Sequence, residues 1–382
     1  MKKSAVVIVP VLCLMACSAP KQTTQTTASG LDPQKFVAEY RGDTTALYTL
    51  TNANGMEACI TNFGGRVVSL MVPDRQGNLT DVVLGFDSIQ AYFPENNKTD
   101  FGASIGRYAN RINQGRYELD GQTYQLPQNN YGHCLHGGAD MGSLGWQYRT
   151  FKADQPNDST LVLTLTSPDG DNGFPGTVTA TVTYTLGSDN DLNIAYSATT
   201  DKPTIINMTN HSYFNLSGDP STPITDEILQ IDANYYTPVD STFMTLGTIE
   251  SVDDTPFDFR NRKVIGNDIN VDNEQIANGH GYDHNWVLNS GATSAPKVVL
   301  TDPSSGIVLE VLTDEPGIQI YSGNFLDGTV TGKNGVVYNR RNAICLETQH
   351  YPDSPNKPQW PSPVLRPGET YASHCTYRFS AK

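Results

Sequence analysis

The segment Gly176-Thr-Val-Thr-Ala-Thr-Val-Thr-Tyr-Thr-Leu186 alternates hydroxyl and apolar side chains from Thr177 to its end. A period of two is what a half-buried strand requires, because successive side chains point to opposite faces of a sheet. Working outward, Ser159-Thr-Leu-Val-Leu-Thr-Leu-Thr166 and Leu192-Asn-Ile-Ala-Tyr-Ser-Ala-Thr199 carry the same alternation on either side. Lys297-Val-Val-Leu-Thr301 and Ile307-Val-Leu-Glu-Val-Leu312 extend the strand pattern towards the C-terminus. In Tyr117-Glu-Leu-Asp-Gly-Gln-Thr-Tyr124 an Asp-Gly pair separates two short runs, which predicts a two-residue hairpin. No stretch of about 12 or more residues keeps a helical period, and a short helix is expected only over residues 87–93. Many closely spaced strands, with no internal repeat and no linker after residue 35, predict an all-β domain built as a large antiparallel sandwich or barrel.

Composition narrows the function classes. The chain has 382 residues, with Lys+Arg 25 against Asp+Glu 40, a formal charge of −15. After Lys2 and Lys3 no basic run offers the cationic surface that nucleic acid binding needs, so a nucleic acid partner is not expected. Those lysines precede an apolar run, residues 5–15, that is shorter than the ~20 residues of a spanning helix and reads as a secretory signal. The run ends in Leu14-Met15-Ala16-Cys17, which resembles a bacterial lipobox. Residues 1–16 are therefore expected to be a lipoprotein signal peptide and Cys17 the lipidated first residue of the mature chain. A plain signal peptide cut near Ala16 or Ala19 is the other reading. Residues 17–35, rich in Thr, Gln, Ser and Ala, are expected to form a flexible tether to a domain over residues 36–382. The setting this implies is the periplasm or cell envelope, with the membrane reached only through the anchor at Cys17. Cys59, Cys134, Cys345 and Cys375 are scattered and form no C-x-x-C pair; buried free thiols are expected rather than zinc ligands or disulfides.

Three clusters hold more hydrogen-bonding groups than a β-core needs. The first is Gly102-Ala-Ser-Ile-Gly-Arg-Tyr-Ala-Asn-Arg-Ile112 with Leu135-His-Gly-Gly138 downstream. Arg107, Asn110 and Arg111 could make a donor-rich ledge for hydroxyl oxygens, and His136 beside Gly137 could approach a ligand closely. A plain ion pair at the core rim is the alternative for the arginines. The second is Thr204-Ile-Ile-Asn-Met-Thr-Asn-His-Ser-Tyr-Phe-Asn-Leu216, in which His211 is the natural proton donor or acceptor near neutral pH. The third joins Gly281-Tyr-Asp-His-Asn-Trp-Val287 to Ala343-Ile-Cys-Leu-Glu-Thr-Gln-His-Tyr-Pro352. Glu347 ends an apolar strand there, and a cleft carboxylate of that kind makes a usable general base. His280 and His284 flank Asp283, but their spacing points to a metal only on a helix, and the glycines around them argue for a loop. Aromatic rings set among Asn, Asp, His and Arg make a sugar the leading ligand class.

These residues resemble the aldose 1-epimerase (galactose mutarotase) family. Asp81-Val-Val-Leu-Gly-Phe86, Gly106-Arg-Tyr-Ala-Asn-Arg-Ile112, Leu135-His-Gly-Gly138, Thr209-Asn-His-Ser-Tyr-Phe-Asn-Leu216, Gly281-Tyr-Asp-His-Asn285, Gly317-Ile-Gln-Ile-Tyr-Ser-Gly-Asn324 and Leu346-Glu-Thr-Gln349 follow one another in the family's order over nearly the whole mature chain. The resemblance implies an antiparallel β-supersandwich and interconversion of the α and β anomers of free aldoses such as galactose and glucose. It implies Glu347 as the base at the C1 hydroxyl and His211 as the acid at the ring oxygen. Asn110, Arg111, His136, Tyr213, Asp283 and Gln319 match sugar-binding positions, and Arg107 a supporting one. No cofactor or metal is required by this chemistry, and although a Ca²⁺ in an acidic loop is conceivable, nothing in the sequence indicates one. A monomer is expected.

Three other readings compete with this one. A glycoside hydrolase could use Glu347 and Asp283 as paired carboxylates. A sugar-binding lipoprotein would keep the cleft without turnover. A relative acting on hexose 6-phosphates would need a cationic pocket that the acidic composition does not favour.

Overall fold

The computed structural model describes residues 26–138 and 144–382. The signal segment and Cys17 lie outside the described residues. The architecture is the antiparallel β-supersandwich. Its largest sheet has nine strands, ordered Lys152–Asn157, Thr160–Ser167, Val178–Leu186, Asp191–Thr200, Tyr371–Ala381, Ile307–Thr313, Val298–Thr301, Ile228–Ile231 and Lys263–Val264. A six-stranded sheet runs Tyr213–Phe214, Ile344–Gln349, Gly317–Tyr321, Asp283–Leu288, Ala233–Thr237 and Glu250–Ser251. A four-stranded sheet near the N-terminus is built from Leu47–Thr51, Glu57–Thr61, Arg66–Pro73 and Leu79–Asp81. Every pairing within these three sheets is antiparallel.

The alternation that announced the fold becomes its core. Val178, Ala180, Val182, Tyr184 and Leu186 are buried while Thr179 faces solvent. Against them pack Trp286, Ile318, Ile320, Ile344 and Leu346 from the six-stranded sheet. Tyr377 ties the two layers together, its hydroxyl donating to Leu346 O at 2.9 Å. At ~1.5–3 kcal/mol for each fully buried large apolar side chain, this shared layer is the main stabilising term. It also decides where chemistry can go. With Ile344, Leu346, Ile318 and Ile320 turned into the core, the period of two turns Glu347 and Gln319 to the opposite face.

The predicted hairpin is present. Arg116–Leu119 pairs with Gln122–Gln125, and Asp120 and Gly121 both hold positive φ, 51° and 77°, as a type I′ turn requires. Over residues 87–93 a four-residue 3-10 helix, Ile89–Tyr92, replaces the expected short helix. The α-helix among the described residues is Glu274–Gly279, N-capped by the Asn273 side chain, and at six residues it is too short to show a period in sequence. The tether expected over residues 17–35 differs in the part the structure describes. Leu31 is buried, and Ala28 N–H donates to both Glu57 carboxylate oxygens at 2.8 and 3.0 Å, so the chain joins the domain near residue 27. Cys59, Cys134, Cys345 and Cys375 are buried free thiols, as expected. No helix among the described residues is long and apolar enough to cross a membrane.

Candidate active site

The polar face of the six-stranded sheet carries the site. Register places Asn285 opposite Gln319 and Gln319 opposite Glu347, a row across three strands, with Asp283 two residues along the first of them. Gln319 Nε2 donates to Asp283 Oδ1 at 2.7 Å, fixing that carboxylate. Beside this face lies the short pair Thr209–His211 and Ala103–Ile105, in which His211 is opposite Ala103. His211 Nε2 reaches Glu347 Oε1 at 3.5 Å. Glu347 Oε2 and His211 Nδ1 are buried with no hydrogen-bond partner in the protein. Buried polar atoms left so are costly unless a ligand meets them.

The electrostatics suit proton exchange. Burial pushes Glu347 well above the usual carboxylate range, the charges of Asp283 and Asp100 add to it, and Arg111 opposes them. Burial pushes His211 down, against a raising effect from Asp100 and with a further lowering from Arg66. The two groups are driven towards each other in proton affinity.

Arg111 and His136 enter from a second pair of strands, Arg111–Ile112 with Cys134–Leu135, where Arg111 is opposite Leu135. Asn110, in a left-handed conformation, accepts Arg111 N–H at its own Oδ1 (2.8 Å) and gives its N–H to His136 Nδ1 (3.2 Å). His136 therefore carries its proton on Nε2 and presents a donor. Burial, with His211 and Arg111, holds it neutral, well below an ordinary histidine. Arg111 is forked onto Asn130 Oδ1 at 3.1 and 2.9 Å, and its guanidinium lies over Phe243, 5.0 Å from the ring centre. Tyr213 stacks on His211 at 5.1 Å with 18° between the rings, and meets Tyr321 edge-on at 6.0 Å. Gly137 is forced by space: a Cβ there would fall 2.3 Å from Gly106 O, and its φ is +76°.

Glu347, His211, Asn110, Arg111, His136, Tyr213, Asp283 and Gln319 thus gather around one place, although residues 211 and 347 are far apart in sequence. The other residues the sequence singled out are engaged elsewhere. Arg107 is no ledge for a ligand: its guanidinium donates to Pro175 O, Gly176 O and Ser167 O and Oγ, and lies over Phe174. His280 caps the helix Glu274–Gly279, whereas His284 is turned into the core against Phe257, so the two do not form a metal site. Sequence reasoning missed Asp100, which stands beside both His136 and His211, and Phe243 beneath Arg111. Asp100 sits just outside the glycine-rich motif, and no pattern marks it.

The family model for aldose 1-epimerase matches residues 46–378. The mouse galactose mutarotase is 41% identical over 322 residues, 84% of this chain and 90% of the mouse protein. The aldose 1-epimerase of Escherichia coli (strain K12) is 40% identical over 341 residues, 88% of this chain and 95% of that protein. Among solved structures, the GalM/aldose epimerase homologue from C. elegans superposes with a TM-score of 0.80 at 32% identity, covering 88% of this chain and 99% of the other. The galactose 1-epimerase from Lactobacillus acidophilus gives 0.79 at 28% identity, covering 90% and 97%. Register, burial and likeness agree, and the chain belongs to the aldose 1-epimerase family.

Proposed function

We propose that the protein interconverts the α and β anomers of free aldoses, with galactose and glucose as substrates, using Glu347 and His211 as a reversible base and acid. The observation that carries the assignment of roles is the buried Glu347–His211 pair at 3.5 Å, each with a further polar atom that has no partner in the protein. Glu347 takes the proton of the C1 hydroxyl as His211 gives one to the ring oxygen O5. The C1–O5 bond breaks, its electron pair going to O5, while the O1 electrons form the C1=O1 bond of the open aldehyde. After rotation about C1–C2, O5 attacks the other carbonyl face; the protonated Glu347 returns its proton to O1 and His211 recovers its own from O5. No electrons leave the sugar and no covalent intermediate with the protein forms, so these two groups and hydrogen-bond donors suffice.

Arg111, His136 Nε2–H, Asn110 and the Asp283–Gln319 pair supply donors and acceptors for ring hydroxyls, and Tyr213 and Tyr321 an apolar wall. Support for Arg111 as an orienting group comes from its charge, which acts on both Asp283 and Glu347. We further propose a monomer working without a cofactor, exported and held at the envelope by lipid on Cys17. The signal-like N-terminus and the lipobox-like Leu14-Met15-Ala16-Cys17 support that setting.

Polarimetry on fresh α-D-galactose and α-D-glucose tests the assignment. The wild-type protein should speed the approach to equilibrium above the spontaneous rate, and Glu347→Gln and His211→Asn should each lose about 10²–10⁴-fold in kcat, the range for a removed acid or base. Wild-type protein that accelerates neither sugar would overturn the substrate assignment; a variant that keeps its rate would overturn that residue's role.

A further inference from the structure

Asp100 is a half-buried carboxylate that the sugar-binding and proton-transfer roles leave unassigned. Gly102 N–H donates to His211 O at 3.0 Å, and Ala103, opposite His211 in register, gives its N–H to Asp100 O at 3.0 Å. The strand pair therefore holds Asp100 beside the histidine. One Asp100 carboxylate oxygen and one ring nitrogen each of His136 and His211 lie within 4.8 Å of one another. Asp100 Oδ1 is buried without a hydrogen-bond partner, as is His211 Nδ1. A carboxylate oxygen held so is costly unless its charge is used.

Two histidines and a carboxylate are a ligand set for a first-row dication. His136 argues against that use, because it accepts Asn110 N–H at Nδ1 and so carries a proton on Nε2. What remains is electrostatic. Around the His211 ring stand Glu347 at 3.5 Å, His136 with ring centres 5.2 Å apart, Tyr213 stacked at 5.1 Å, and the charges of Asp100 and Arg66. Arg66 is fully buried, with Nη1 on Phe101 O at 2.9 Å, and its charge disfavours a protonated ring.

We propose that Asp100 is a positioning residue for the anomer exchange, acting through His211: the strand pair holds its carboxylate beside the ring that gives O5 its proton. This rests on the assignment of His211 as the acid. Asp100 itself takes no proton from the sugar.

The test is NMR titration of the His211 imidazole in sugar-free wild type, Asp100→Asn and Asp100→Glu, with polarimetry on the same samples. In Asp100→Asn the His211 midpoint should fall by about one pH unit, a tenfold loss of proton affinity. The kcat should fall about tenfold with KM within twofold, the alkaline limb of the rate profile should move to lower pH, and Asp100→Glu should restore both readouts in large part. An unmoved midpoint in Asp100→Asn would overturn the proposal. So would a rise in KM with kcat unchanged, which would make Asp100 a ligand for a sugar hydroxyl. If Asp100→Asn does not fold, the Asp100→Glu midpoint decides: a value within about 0.3 pH unit of wild type supports the proposal, and a larger fall opposes it. Wild-type protein that fails to mutarotate either sugar sinks the parent reading, while the titration still decides the Asp100–His211 coupling.

Discussion

Glu347 Oε1 and His211 Nε2 face each other at 3.5 Å, both side chains buried, from neighbouring strands that arrive from opposite ends of the second half of the chain. The same burial acts on them in opposite directions, raising the carboxyl and lowering the imidazole. Desolvation disfavours whichever form is charged, so an acid and a base removed from water together converge in proton affinity. Convergence suits a reaction that runs through the same step forwards and backwards, because neither group holds the proton so firmly that closing the ring becomes harder than opening it.

Burial of Glu347 also predicts how stability depends on pH. Its folded proton affinity lies above that of the unfolded chain, so the stabilisation it gives is fully present below the unfolded value, about 4.3, and is lost as pH rises through the folded value. Glu347→Gln removes this slope. The melting temperature of Glu347→Gln minus that of wild type should grow from pH 4 to pH 8, by about 1.4 kcal/mol of stability for each pH unit between folded and unfolded values. Melts at a series of pH values check it, and a constant difference would mean that the carboxylate is not held in a low-dielectric site. Glu227 is raised by burial too, with Asp302 and not Glu347 as its charged neighbour, so both proteins share its effect and the difference cancels it.

Arg107 separates support from recognition. Its Nη1 and Nη2 satisfy Pro175 O at 2.8 Å, Gly176 O at 3.0 Å, Ser167 Oγ at 2.7 Å and Ser167 O at 3.2 Å. A lysine ammonium cannot reproduce that planar fork. Arg107→Lys should cost ~2–4 kcal/mol of stability, since buried carbonyls lose charged donors. At a temperature where both proteins are folded, KM should stay within about twofold of wild type. A rise in KM of tenfold or more would place Arg107 in contact with the sugar instead.

What the sequence disclosed and what it hid divide along physical lines. Strands such as Val178–Leu186 were legible because one buried face imposes a period of two, and the Asp120-Gly121 turn because few other pairs adopt two successive positive φ angles cheaply. Glu347 and His211 were legible as chemistry, since an ionisable group at the end of an apolar strand or amid buried amides needs a reason. Their meeting was not, because it depends on register between strands that no local pattern encodes. Asp100 was hidden for the same reason: its significance lies in a histidine more than a hundred residues away. Arg107 and Arg111 look alike in sequence, and only burial direction separates the clamp on Pro175 from the arm over Phe243.

The N-terminal boundary yields the remaining prediction. Leu31 stands alone in a polar stretch and Phe36 opens the run Phe36-Val-Ala38, too short to show a period, yet both are buried in the cluster with Cys59, Phe63 and Val68. Thr45 Oγ1 donates to Phe36 O at 2.8 Å, and Glu57 accepts Ala28 N–H with both oxygens. A chain starting at residue 26 keeps all of these, while one starting at residue 37 loses two buried side chains and leaves the Glu57 carboxylate without its backbone donor. Each lost apolar side chain is worth ~1.5–3 kcal/mol, so the shorter chain should be less stable by ~3–6 kcal/mol. Urea melts of the two chains compare them directly. Equal midpoints would mean that the domain begins after Phe36 and that the contacts of residues 27–36 contribute nothing to its stability.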